Sequence, residues 1–481
     1  MADQRWISIF HCRTNILIMT VCFIANFSKT YFFSAIAKEL ENSGYQVVWV
    51  VVNEKLRDFL HENYAKEKVL YLNRDWMQGE STPVGEFKIN ELVFGDRVLR
   101  HEATNGLRFL TNIQQPIYDF LKKHEVNTVF GETTWAHEIL VHRMTCRLQE
   151  LNCRYLCPHV VRIPNSRFAF FTDEHQSEIL AHDAGEICDT IFELKKPDYL
   201  IINDKKMKKN RSLSGRLNRA KRFFTNENID KNDPTLISNE VVRFRTRAGE
   251  EWRKETYRKV ERVSFESIKD TNYVFIGLHK QPEASIDVFG RYYEDQLVNI
   301  QNIWRALPHG WKLIVKEHTN AIGDRNLAFY ETLNALPNLH FVDEKTNSWS
   351  LISQAKLVAT VTGTIAYEAA LMQIPSLTLA PTFFNRMNYC RQITWNELNA
   401  YKDLSELCEG LKSEKDNRLE FCQYLWKNSF EGVFSDPNAN PKIMEKDNVK
   451  QVAQGFLSIL LDAKYYLKEV EHQTFEKMIT I

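Results

Sequence analysis

Short apolar runs alternate with amphipathic stretches of helical period along most of this chain. In the first half, Asn15 to Cys22 reads as a strand and Ser28 to Asn42 as a helix capped by Ser28. Gly44 ends that helix, and Gln46 to Val52 is the next strand. Helical periodicity returns between Glu102 and His124, a strand follows at Asn127 to Phe130, and a helix begins near Trp135. Between these, Gly79, Pro83, Gly85 and Gly95 break the pattern from Leu70 to Val98, which predicts a loop-rich insertion or a small hairpin.

The second half repeats the alternation more clearly. Tyr273 to Ile276 and Trp311 to Lys316 read as strands around a helix near Leu297 to Leu307. Leu357 to Val361 is a third strand, followed by a helix carrying Glu368, and Leu377 to Leu379 is a fourth. These spacings predict βαβ units and a parallel sheet. Further helices are expected over Glu240 to Ile268, Leu404 to Lys427 and Asn448 to Lys468.

Polar residues just past strand ends are the candidates for chemistry, because open α/β sheets bind ligands there. Thr362-Gly363-Thr364 opens a helix: its glycine admits a close ligand and its amides favour an anion, although capping alone is an equal reading. Lys316 and His318 offer a cation and an imidazole from the neighbouring strand end, and Gln281 and Ser285 are expected to line the same crevice. Glu368 is placed to reach hydroxyls or to complement the helix dipole. In the first half, the loop Ala25 to Thr30 and Glu132 should face the cleft. Glu132 is the first candidate for a general base, with helix capping as its structural alternative, and His137 one turn on either shares the site or packs. The stretch Arg162 to Arg167 is a candidate contact for an anionic substrate.

Gln281-Pro282-Glu283-Ala284-Ser285, then Lys316-Glu317-His318, Thr362-Gly363-Thr364, Glu368-Ala369-Ala370 and Ile374-Pro375 stand in an order that resembles the capsule polysaccharide biosynthesis family of bacterial glycosyltransferases, which includes Kdo transferases. The resemblance covers Thr271 to Asn388, and Thr319 stands where the family usually has proline. It implies an α/β fold of the GT-B kind, two Rossmann-like domains facing across a cleft, with the C-terminal helix crossing back to the first. The expected division is residues 1–269, binding the acceptor and including a basic helical segment over about 203–268; 270–430, binding the nucleotide-sugar; and 431–481, helical. The resemblance also implies that Lys316, His318 and the threonine turn hold the donor phosphate, with CMP-Kdo or a related CMP-activated acid favoured as donor. The expected acceptor is a glycan or lipid-linked glycan.

Composition narrows this reading without changing it. Lys plus Arg (62) equals Asp plus Glu (62), so no global field recruits nucleic acid. Scattered cysteines without a framework suggest buried thiols in a reduced cytoplasm rather than disulfides or structural zinc. No Gly-x-Gly-x-x-Gly supports a dinucleotide cofactor, and no Asp-x-Asp triplet supports a metal-held donor, so neither cofactor nor metal is expected. Ile16 to Ala25 is too short to span a bilayer, which takes about 20 residues. The run from Lys205 to Arg222, rich in Lys and Arg and free of acid, carries an apolar stripe; it predicts either contact with the inner-membrane surface or a solvated helix. Two rival functions remain open at this level: a nucleotide-sugar epimerase of the same architecture, and a non-catalytic transferase-like scaffold.

Overall fold

The computed structural model describes residues 19–183, 188–195 and 230–461. Two sheets organise them. The first has the strands β1 (Thr20–Ile24), β2 (Gln46–Val51), β3 (Val69–Tyr71), β4 (Val126–Phe130), β5 (Arg154–Val160) and β6 (Arg167–Phe171). The second has β7 (Tyr273–Gly277), β8 (Lys312–Lys316), β9 (Leu339–Val342), β10 (Leu357–Thr360), β11 (Ser376–Thr378) and β12 (Cys390–Gln392). A last short strand, β13 (Phe430–Glu431), returns to the first sheet and pairs antiparallel with β6.

Strand order shows how each sheet was wound. The second runs β9-β8-β7-β10-β11-β12, all parallel, which is the doubly wound order of a Rossmann domain. The first runs β3-β2-β1-β4-β5 in parallel and is extended by antiparallel β6 and β13. Central strands are apolar at successive positions because helices cover both faces. Val21, Phe23, Trp49 and Val51 pack into one core, and Cys22, Ile24, Val48 and Val50 into another on the opposite face. The second sheet divides likewise, with Val274, Ile276, Leu313 and Val315 on one side and Tyr273, Phe275, Ile314 and Val358 on the other. The chain therefore has the expected fold: two Rossmann-like domains face each other.

The C-terminal helix, residues 446–461, crosses back as expected. Phe456 lies against Phe130 at 4.7 Å and Phe170 at 4.9 Å between ring centroids, and the Arg154 guanidinium donates to the Ile459 carbonyl at 3.0 Å. The helix Glu240–Tyr257 belongs to the second core, where Tyr257 and Val260 are buried.

Three local expectations are corrected. Leu70 to Val98 is no hairpin: β3 is a parallel edge strand on β2, followed by a short 3-10 turn and the helix Ile89–Gly95. A strand of three residues is too short to reveal its pairing by alternation. Ser28 precedes the helix Lys29–Asn42 but does not cap it; with helical backbone angles, its hydroxyl donates instead to Asp436 of the crossing segment at 2.7 Å. Arg167 is an internal tie rather than a substrate contact. It is buried, donates to Ser429 Oγ at 2.9 Å, and stacks on Trp426 at 4.0 Å. The basic run 205–222 lies outside the described residues. Among the described residues, no helix is long and apolar enough to cross a membrane.

Candidate functional site

In open parallel sheets, ligands bind beyond the carboxyl ends of the strands where strand order reverses. In the second sheet that point lies between β7 and β10. The loop after β7 brings His279 beneath the turn after β10. Its Nε2 lies 2.9 Å from Thr360 Oγ1 and accepts the Thr362 amide at 3.4 Å, while the Gly363 amide donates to Thr360 Oγ1 at 3.1 Å. A Cβ at Gly363 would stand 2.6 Å from that hydroxyl oxygen, so only glycine fits this close turn. The helix Thr364–Leu371 starts immediately after it, and its first amides have no partner within the helix. Burial, with the charges of His318 and Arg325 adding, pushes the His279 imidazole down to about 3. It is therefore a neutral prop for the turn.

The neighbouring strand end adds the predicted cation and imidazole. Lys316 donates to Ser348 Oγ at 2.7 Å. His318 accepts the Asn320 amide on Nδ1 at 3.2 Å, which leaves its other nitrogen to carry the proton. Next to Ser348, Trp349 Nε1 donates to Glu368 at 2.7 Å, so Glu368 reaches the same rim as a held carboxylate. Glu317, between the two predicted residues, points into the core, where both its oxygens meet Arg325 at 2.7 and 2.8 Å and one accepts the Tyr330 hydroxyl at 2.6 Å.

Gln281 and Ser285 are near but engaged elsewhere. The Gln281 amide donates to Asp287 at 2.8 Å and its carbonyl accepts from Gln296 at 3.0 Å; the Ser285 hydroxyl donates to Glu283 at 3.0 Å. Both satisfy polar groups of their own loop. It is the Ser285 carbonyl that meets the turn, accepting the Thr362 hydroxyl at 2.6 Å.

The first sheet has its own reversal between β1 and β4. The loops there carry Asn26 and Lys29 on one side and Glu132 on the other. The Asn26 amide donates to Glu132 at 2.8 Å and to Glu138 at 3.2 Å, and Lys29 forms an ion pair with Glu132. Glu138 is wholly buried and accepts the backbone amides of Thr134 at 2.7 Å and Trp135 at 3.1 Å. Burial, helped by the adjacent Glu132 charge, pushes its carboxyl up to about 7. Thr133 (φ 53°) and Phe27 (φ 40°) hold left-handed backbones in these two loops, conformations that cost energy in non-glycine residues. His137 is buried, its Nε2 has no hydrogen-bond partner, and burial pushes the ring down to about 3, a weak base at neutral pH. No hydrogen bond joins it to Glu132.

Glu138 makes a testable contribution to stability. Its folded value lies above the ordinary 4.5, so between about 4.5 and 7 the folded state binds more protons than the unfolded one. Its share of stability is present below 4.5 and is lost as pH rises through 7. Unfolding free energies from denaturant titrations across this range should therefore fall less steeply for Glu138→Gln than for the wild type, by about 1 kcal/mol per pH unit.

Contacts across the seam hold the two reversals opposite each other. Arg100 pairs with Asp287 at 3.2 Å, and a Cβ on Gly95 would stand 2.8 Å from the Asp287 carbonyl. Arg143 and Arg291 share the carboxylates of Glu91 and Glu174, the latter at 2.7 and 2.6 Å. The Tyr367 hydroxyl donates to the Ile163 carbonyl at 2.8 Å. A cavity of about 700 Å³ beside Glu91, Phe94 and Tyr292 is lined by none of the predicted site residues. Among the described residues, no three His, Cys, Asp or Glu side chains gather as a metal site, and the eight cysteines there are free.

Sequence reasoning named the loop of Asn26 and Lys29 but not their bond to Glu132, and it missed His279 and Glu138. The only signal for His279 was its place two residues beyond a strand; Glu138 looked like an ordinary helix residue.

No protein-family model and no curated protein matches this chain. Among solved structures it is similar to KpsC, a beta Kdo 2,7 transferase of Thermosulfurimonas dismutans, at 10% identity over 90% of this chain and 99% of that one, with a TM-score of 0.35. It is also similar to WaaG, a glycosyltransferase involved in lipopolysaccharide biosynthesis, at 13% identity over 91% and 98%, with a TM-score of 0.31. A third is the UDP-GlcNAc 2-epimerase of Methanocaldococcus jannaschii, at 12% identity over 88% and 98%, with a TM-score of 0.25. The assignment of two doubly wound domains stands on the chain's own strand order.

Proposed function

We propose that this chain is a metal-independent glycosyltransferase that moves a sugar from a nucleotide-activated donor to a bacterial surface-polysaccharide or glycolipid acceptor. One observation carries the reading: two sheet reversals face one seam, one ending in a glycine turn that opens a helix and the other holding a carboxylate. Residues from about 270 to 430 bind the donor and those before them the acceptor. Lys316, His318 and the amides after Gly363 take up charge on the departing phosphate, which is where stabilisation speeds transfer. Glu132 accepts the acceptor hydroxyl proton as its oxygen bonds to the sugar carbon and the bond from that carbon to phosphate breaks. CMP-Kdo or a related CMP-activated acid is the favoured donor, on the resemblance of Lys316-Glu317-His318 and Thr362-Gly363-Thr364 to the capsule family. The protein would work at the cytoplasmic face of the inner membrane.

A thermal-shift panel of CMP, CDP, UDP, GDP and ADP on the wild type and His318→Ala tests this. A ligand at a hundred times its dissociation constant stabilises by about 2.7 kcal/mol. CMP alone should raise the melting temperature, and His318→Ala should abolish the rise. A response to UDP alone, with interconversion of a UDP-sugar in the absence of acceptor, would replace the transferase by the epimerase. No response to any nucleotide would leave the scaffold.

A further inference from the structure

Among the described residues, Arg97 stands at the seam with no carboxylate in ion-pair range. Its guanidinium lies over Trp135, 3.9 Å from the ring centroid, and one nitrogen donates to the Thr134 carbonyl at 3.3 Å. Its Nε is buried and has no hydrogen-bond partner, and among the described residues Arg97 forms no ion pair. The other arginines of this seam, Arg100, Arg143 and Arg291, each hold a carboxylate. A desolvated cation without a partner is costly, and burial accordingly pulls the Arg97 guanidinium below its ordinary value.

Four carboxylates act on Arg97 from beyond ion-pair range: Asp96, Glu138, Glu283 and Glu132. Three are already committed. Asp96 accepts the backbone amides of Val98, Leu99 and Ala136; Glu138 is pushed toward its neutral form; Glu132 is paired with Lys29. The fourth, Glu283, belongs to the opposite domain and also acts on His318. Two residues before Arg97, Gly95 packs against the Asp287 carbonyl of the short helix Ala284–Asp287, whose Ser285 carbonyl accepts the Thr362 hydroxyl, so Arg97 lies on the seam between the Thr134 loop and that turn, and its fork of donors fits a planar or tetrahedral oxyanion.

We propose that Arg97 binds the donor phosphate next to the transferred sugar, reaching it from the acceptor domain across the seam. This rests on the donor reading above. It makes the phosphate site a joint construction, with Thr362, Gly363 and His318 on one wall and Arg97 on the other. A nucleotide would then draw the two domains together, and Trp135 fixes the plane in which the guanidinium meets it.

Isothermal titration of CMP, UDP, cytidine and uridine into the wild type, Arg97→Met and Arg97→Gln tests the proposal, with the melting temperature of each unliganded protein as the fold control. Two neutral variants are used so that at least one folded sample decides. The binding nucleotide should bind roughly ten- to a hundredfold more weakly to the variants, the loss expected for a charge-assisted bond. The parent nucleoside should bind all three proteins alike, and the unliganded variants should melt no lower than the wild type, since a costly unpaired charge has gone. Unchanged nucleotide affinity in a folded variant would overturn the proposal while leaving the donor reading intact. So would an equal loss for the nucleoside, or a marked fall in unliganded stability, either of which would make Arg97 a structural residue. A wild type that binds no nucleotide would remove the donor reading itself.

Discussion

Glu132→Gln is expected to lower turnover by about 10²–10⁴-fold, the usual contribution of a positioned general base, while nucleotide affinity changes little. Glu132 sits at the reversal of the first sheet, away from the glycine turn of the second, so the two properties should separate. Its carboxylate oxygens meet Lys29 and Asn26, and each keeps a lone pair for an acceptor hydroxyl. Glutamine preserves the shape but cannot take the proton, and its single acceptor oxygen can meet only one of the two donors. It also leaves Lys29, a residue only 7% exposed, without its charge partner, so a lower melting temperature should accompany the loss. Initial rates with saturating donor, set beside the nucleotide dissociation constant, check the claim. Turnover close to wild type would remove Glu132 from the chemistry. A parallel loss of turnover and nucleotide affinity would mean that the substitution had disturbed the seam rather than a proton transfer.

The largest loss of stability should come from Glu317→Ala. Both carboxylate oxygens are buried against Arg325 and one also accepts from Tyr330. Deleting one member of a buried pair strands the other charge and costs about 3–5 kcal/mol. Here the stranded group would be Arg325, whose guanidinium also donates to the His279 carbonyl. The damage should therefore extend to the loop that props Gly363. Chemical denaturation measures the first effect; weaker nucleotide binding by the folded fraction measures the second. Arg325→Ala should match the loss of stability, since it leaves Glu317 buried and unpaired in turn. A change below about 1 kcal/mol in either variant, the range of an exposed pair, would show that the pair is solvated in solution.

Lys316-Glu317-His318 shows how far the sequence was readable. The end of a strand placed Lys316 and His318 at the ligand end, and the structure puts Glu317 in the core between them. A strand end is a local feature, so it could be read. The partner of Glu317 is eight residues on, in a loop with no periodic pattern, and nothing local pointed to it. Thr362-Gly363-Thr364 behaves similarly. Its place between strand and helix was legible, whereas the prop beneath it, His279, comes from a strand far away in sequence that lies beside it only after the sheet is wound.

The chain's own pattern determined two alternating α/β halves, most strands and helices of both, and the strand ends that carry Glu132, Lys316 and Thr362. Those follow from periodicity, which acts over a few residues and needs no partner. Only the tertiary structure decided that β3 is a parallel edge, that Ser28 bonds the returning C-terminal segment, that Arg167 is an internal tie, and that Arg97 stands over Trp135 at the seam. Each depends on which distant group arrives to satisfy a buried polar atom. That is settled by the packing of whole domains, and no local stretch of sequence encodes it.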